Sequence, residues 1–160
     1  MRPGTTRTRI LGIGLGALLV LAVAVVVAWA THREAAPSAA AVPPEWQRPA
    51  VTAADLVQRS GVKLVRVAVT GGGGLIDVRF QVVDPDKAAS LHQPRTPPAV
   101  VDERTGLVVH DLLMNHSHTG PMKPAQTYYL VFENPGGWVR SGSQVSVLLG
   151  DAQVDHVVVA

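Results

Sequence analysis

The chain has 160 residues, with 14 Lys and Arg against 12 Asp and Glu, and it contains no cysteine. That length holds one ordinary domain plus an anchor, and the missing thiols exclude disulfides, thiolate zinc or iron–sulfur sites, a cysteine nucleophile and a cysteine-linked lipid anchor. Arg2, Arg7 and Arg9 precede the first apolar run, which leaves 11 basic residues facing 12 acidic ones; the remainder is near neutral at −1 and lacks the basic stripe that nucleic acid requires.

Residues Ile10 to Ala30 are 21 consecutive positions without a charge. As a helix they span about 31 Å, the thickness of a bilayer's hydrocarbon core. This predicts one transmembrane helix over 10–30, with 1–9 as a basic cytoplasmic tip. Arg33 is offset by Glu34 on the far side, so the positive-inside bias puts everything after the helix outside a cytoplasmic membrane. Trp29 suits the interfacial belt. Ala28-Trp29-Ala30 also has the small-x-small form of a signal cleavage site, but signal h-regions run only about 7 to 15 residues, so a retained anchor is the expectation. Gly12 and Gly16 make a GxxxG pair suited to close helix approach, although glycine is common in membrane helices.

Residues 31–50 mix Ala with Pro37, Pro43, Pro44 and Pro49 and show no apolar period, the composition of a semi-rigid spacer. The extracytoplasmic domain is expected over 51–160. Its first element is a short helix: Thr52 can cap it, Asp55 stands at the reciprocal capping position, Val51 and Leu56 are spaced for a hydrophobic staple, and Gly61 can end it. The period then becomes two. Val65, Val67 and Val69 are expected on a buried face opposite Arg66 and Thr70, and Gly71 to Gly74 should turn the chain into Leu75 to Val83. There Ile76, Val78, Phe80 and Val82 alternate with Asp77, Arg79 and Gln81, predicting a strand paired with the first. Asp84 and Pro85 read as N-cap and first helical residue of a short turn through Ala89.

Past Pro94, Pro97 and Pro98, a second hairpin is predicted from Ala99 to Asp102 and Leu107 to His110 around Glu103-Arg104-Thr105-Gly106. Thr127 to Glu133 is a further strand ended by Asn134-Pro135-Gly136-Gly137. Gln144 to Leu149 and Val154 to Val159 follow, divided by Gly150-Asp151. About seven short strands at regular spacing fit an all-β antiparallel sandwich, preceded by the transmembrane and short helices.

This strand count, with Pro124 to Phe132 leading Tyr128 and Tyr129 into a late strand, resembles bacterial membrane-anchored exported proteins carrying an immunoglobulin-like or cupredoxin-like sandwich. The resemblance covers residues 62–160. It departs from true immunoglobulin domains in having neither of the two cysteines and no tryptophan in an early core strand. In such sandwiches a tyrosine near a strand entrance hydrogen-bonds back to the chain at a corner, and the resemblance implies that structural role for Tyr128 or Tyr129.

Catalytic signatures are missing. No Lys-Ser/Thr pair or helix start follows Gly71 to Gly74, so that run reads as a turn and not a phosphate loop. Asp84-Pro85-Asp86 lacks the glycine and distal Glu of a calcium loop. No nucleophile elbow frames a serine, HExxH is absent, and Asp102 and Glu103 are expected as solvated charges in a turn. The expectation is therefore no enzyme. One segment stands apart: Met114, His116, His118 and Met122 fall within nine residues. Imidazole and thioether suit copper, Cu(I) especially, and on an extended segment His116 and His118 project to one side. The same residues equally form a polar loop with methionines packed at the domain's edge. The leading expectation is a membrane-tethered protein that binds an envelope protein or ligand; the alternative is copper binding through this segment.

Overall fold

Alternating apolar residues from Val62 onward build two antiparallel sheets that face one another. A computed structural model describes residues 41–113 and 121–160. Seven strands occur there: β1 (Val62–Thr70), β2 (Leu75–Val82), β3 (Ala99–Asp102), β4 (Val108–Val109), β5 (Thr127–Glu133), β6 (Gln144–Leu149) and β7 (Ala152–Val158). One sheet has the order β1-β2-β5 and the other β4-β3-β6-β7. The result is a two-sheet β-sandwich. Among the described residues no helix is long and apolar enough to cross a membrane; the run 10–30 lies outside them.

Three rows of side chains run across the inner face of the first sheet. Val69, Ile76 and Phe132 are in register, as are Val67, Val78 and Leu130, and then Leu64, Phe80 and Tyr128. Cross-strand neighbours of this kind are the unit of sheet stabilisation. The expected inward face of β1 needs one correction. The register slips between Leu64 and Arg66, so Leu64, and not Val65, completes the third row, and Val65 is 53% exposed. A bulge inserts one residue and reverses the facing of everything before it.

The second sheet supplies Val100, Val109, Val145, Val147 and Val154 to the same core. Its central strands β3 and β6 are buried on both faces over nearly all of their length, Ser146 and Asp102 included. On the outer face, Val42 and Trp46 pack on Ala99, Val101 and Leu148. Residues 42–50, which by composition belong to the spacer, therefore lie along the sheet: Val51 donates to the Gln153 carbonyl, Gln153 donates to Pro49, and Arg48 donates to the Pro97 carbonyl. Partial burial lowers the pKa of the Arg48 guanidinium, with Asp151 opposing the shift.

Helix α1 (Ala53–Ser60) closes one end, with Leu56 fully buried. Its N-terminus is capped as the spacing predicts: Asp55 N–H donates to Thr52 Oγ1 at 3.1 Å, and the hydroxyl donates to the Asp55 carboxylate at 2.8 Å. Gly61 ends it at φ 68°. A Cβ at Gly61 would stand 2.3 Å from the Asp84 carbonyl oxygen, so both backbone conformation and space demand glycine. Asp84 in turn caps α2 (Pro85–Ala88) through the N–H groups of Asp86 and Lys87.

Two stability measurements check this account. Phe80→Ala should lower unfolding free energy by about 3 to 5 kcal/mol in denaturant titration, while Val158→Ala, at an exposed edge, should stay within about 0.5 kcal/mol of the parent. Gly61→Ala should cost more than the roughly 1 to 2 kcal/mol of left-handed strain alone, because the clash with Asp84 adds to it; a smaller loss would show that the α1–α2 contact yields.

Candidate functional site

At one end of the sandwich a single side-chain amide joins two loops. Asn134 is buried at the close of β5. Its Nδ2 donates to the Gly73 carbonyl at 2.7 Å and the Val139 carbonyl at 2.9 Å, and its Oδ1 accepts from Val139 N–H at 3.1 Å. Gly74 also accepts the Asn134 N–H. The β1–β2 hairpin and the β5–β6 connection are thus fixed to each other by a fully used amide, and a buried amide in that state resists opening.

This frame presents Trp138. Gly136 takes φ 67° in the Pro135–Gly137 turn, and a Cβ there would sit 3.1 Å from the indole Nε1. Glycine lets the ring lie over the turn, where it remains 45% exposed. Beside it Arg140 Nε donates to the Gly137 carbonyl at 3.3 Å, and Arg140 N–H donates to Ser143 Oγ at 3.1 Å. Trp138, Arg140 and Ser143 form one wall of a cleft of about 540 Å³, with Arg104 and Leu107 of the β3–β4 hairpin on the other. A second cleft, about 800 Å³, adjoins it through Arg104 and Ser143 and continues past Ser141, Gln144 and Val158.

Asp102 and Glu103 line the larger cleft, whereas the smaller one carries Arg104 and Arg140 and no acid among the described residues. Asp102, expected as a solvated turn residue, is buried, and its Oδ1 accepts from Arg104 N–H, Thr105 N–H and the Thr105 hydroxyl at 3.0, 2.9 and 3.0 Å. Glu103 is not solvated either. Its Oε1 accepts from the Ser146 hydroxyl at 3.1 Å and from His156 N–H at 2.7 Å, and its Oε2 lies 2.9 Å from His156 Nδ1. Both carboxylates are therefore used within the fold. Among the described residues, neither Arg104 nor Arg140 has an ion-pair partner.

The Glu103 contacts hold an unusual piece of backbone. Val147 pairs with Val154 and Val145 with Val157, so Asp155 and His156 together face Ser146 in a bulge. His156 adopts φ 58°, a conformation rare outside glycine, and strain of this kind persists only where surrounding contacts enforce it. A serine, an acid and a histidine meet here, but the hydroxyl donates to the carboxylate and not to the imidazole. The cluster latches the β3–β4 hairpin to β6 and β7.

Of the residues predicted for metal, Met114, His116 and His118 lie outside the described residues. Met122 is 7% exposed and packs in the main core. The chain on either side of that segment is tied down: Leu113 N–H donates to the Val131 carbonyl, and Lys123 N–H donates to the Tyr128 hydroxyl at 2.8 Å. Among the described residues no group of three or more His, Cys, Asp or Glu stands close enough to hold a metal. The surface around Trp138 escapes a reading of the sequence because its parts come from hairpins far apart in the chain. Its one local signal is an aromatic residue directly after Asn-Pro-Gly-Gly.

No protein-family model, curated protein or solved structure matches the chain. The latch is open to direct test. Glu103→Ala should destabilise the fold by about 1 to 3 kcal/mol, since it strands the Ser146 hydroxyl and the His156 N–H. His156→Gly removes one hydrogen bond but also the left-handed strain, so its stability should remain within about 1 kcal/mol of the parent. Equal losses in the two variants would assign the latch to the Glu103–His156 ion pair instead.

Proposed function

We propose that this chain is a single-pass membrane protein whose extracytoplasmic β-sandwich binds a component of the cell envelope, and that the binding surface is the pair of clefts around Trp138. The observation that carries the reading is a partly exposed indole, on a loop fixed by Asn134, flanked by two arginines without acidic partners among the described residues. Exposed aromatic and guanidinium groups on a rigid frame are the usual anchors of a binding surface. The uncharged run 10–30 and the Arg-rich tip before it support the anchor and its orientation. The Tyr128 hydroxyl, which accepts from a backbone N–H five residues upstream, supports the immunoglobulin-like variant of the sandwich.

The test has two parts. An alkaline phosphatase reporter fused after Ala160 should be active, and an active cytosolic reporter at the same point would overturn the topology. A photo-crosslinking side chain placed at Trp138 in cells should capture an envelope component that the same group at Val65 does not.

A second reading, copper binding through Met114, His116 and His118, is favoured by the way the segment's flanks are fixed at Leu113 and Lys123; Met122, expected with them from the sequence, is packed in the core. Tethered flanks lower the ordering cost of closing a loop on an ion. Titration of the full chain with Cu(I) and Cu(II) should then show uptake that His116→Ala/His118→Ala abolishes. Equal weak uptake by both proteins removes the reading.

A further inference from the structure

We infer that the clefts around Trp138 take a carboxylate-bearing glycan, the sugar ring lying on the indole and the carboxylates pairing with Arg104 and Arg140. This rests on the binding surface proposed above. Three features of the clefts select this class of ligand. The first is charge. The smaller cleft is lined by Arg104 and Arg140 and by no acid among the described residues, Asp102 and Glu103 lining only the adjoining one, and both arginines are exposed and lack carboxylate partners among the described residues. Guanidinium groups presented in this way match carboxylates, which they bind through paired N–H donors.

The second feature is shape. Trp138 is held by the turn at Gly136 and offers a flat, apolar face with a polar edge, a platform for a ring and not a pocket for a branched side chain. The third is what surrounds it. Ser141, Ser143 and Gln144 supply short hydroxyl and amide groups along the adjoining cleft, the partners that a ligand rich in hydroxyls needs. An extended peptide would instead seek a sheet edge on which to add a strand. The edges beside the clefts offer little: β4 has two residues, and β7 is interrupted by the bulge at Asp155 and His156.

The experiment uses the full chain in detergent micelles, with oligogalacturonate as the probe, followed by calorimetry and by the chemical shift of the Trp138 indole N–H. Three comparators accompany it: the methyl-esterified oligomer, a poly-glutamate of matched charge, and phosphatidylglycerol vesicles. Oligogalacturonate should bind and move the indole signal. Esterification, Trp138→Ala and Arg104→Gln/Arg140→Gln should each weaken binding by about tenfold or more, equivalent to about 1.4 kcal/mol. All three side chains are exposed, and circular dichroism of the variants confirms that the fold is retained.

Binding of poly-glutamate or the vesicles as tight as that of the glycan would overturn the inference in favour of charge alone or a lipid surface. So would oligogalacturonate binding that is indifferent to Trp138. If the glycan fails while the crosslink at Trp138 persists in cells, only the ligand class falls. If both fail, the binding surface itself is wrong.

Discussion

Without a disulfide, the two sheets are held together by one shared apolar layer, and everything else in the domain is arranged around keeping that layer closed. Phe80 and Phe132 are its largest fully buried side chains, and valines from both sheets share the cluster with them. A fully buried side chain of this size contributes about 1.5 to 3 kcal/mol, and no covalent link compensates for a gap. Helix α1 seals one end by inserting Leu56. The chain before Val51 adds a second, outer layer by covering β3 and β6 with Val42 and Trp46. Strands β3 and β6 are thereby buried on two faces, which stiffens the base on which the proposed binding loops stand.

A sandwich leaves strand edges exposed, and here two of them are broken by bulges. One lies at Val65 in β1 and the other at Asp155 and His156 in β7, and both border the same shallow groove of about 400 Å³. Bulges twist an edge and interrupt its ladder, which hinders the addition of a foreign strand. The bulge in β7 has a further consequence. It sets the His156 N–H and ring against Glu103, which ties β7 to the β3–β4 hairpin.

The loop end thus depends on polar groups that face inward. Asn134 ties two connections, Asp102 winds its own hairpin, and Glu103 reaches across to β6 and β7. Each directs its hydrogen bonds to the backbone or a neighbouring side chain. In the smaller cleft Trp138 stands with two guanidinium groups and no acid among the described residues, so a chain of nearly neutral composition presents a locally cationic, aromatic surface there.

Much of the fold was legible in the residues themselves. Thr52 and Gly61 mark the ends of α1, Ile76 to Val82 alternate as a half-buried strand must, and Asn134-Pro135-Gly136-Gly137 stops β5, because capping, pleat and turn chemistry act over a few neighbouring residues. The bulge that expels Val65 was not legible, since a register is settled by the partner strand and not by the strand's own sequence. Nor was the docking of residues 42–50, whose prolines suit a free spacer as well as a docked one. The clefts were the least visible of all: Glu103 and His156 are 53 positions apart, and only the pairing of distant strands brings an acid, a strained histidine and an exposed indole to the same end of the molecule.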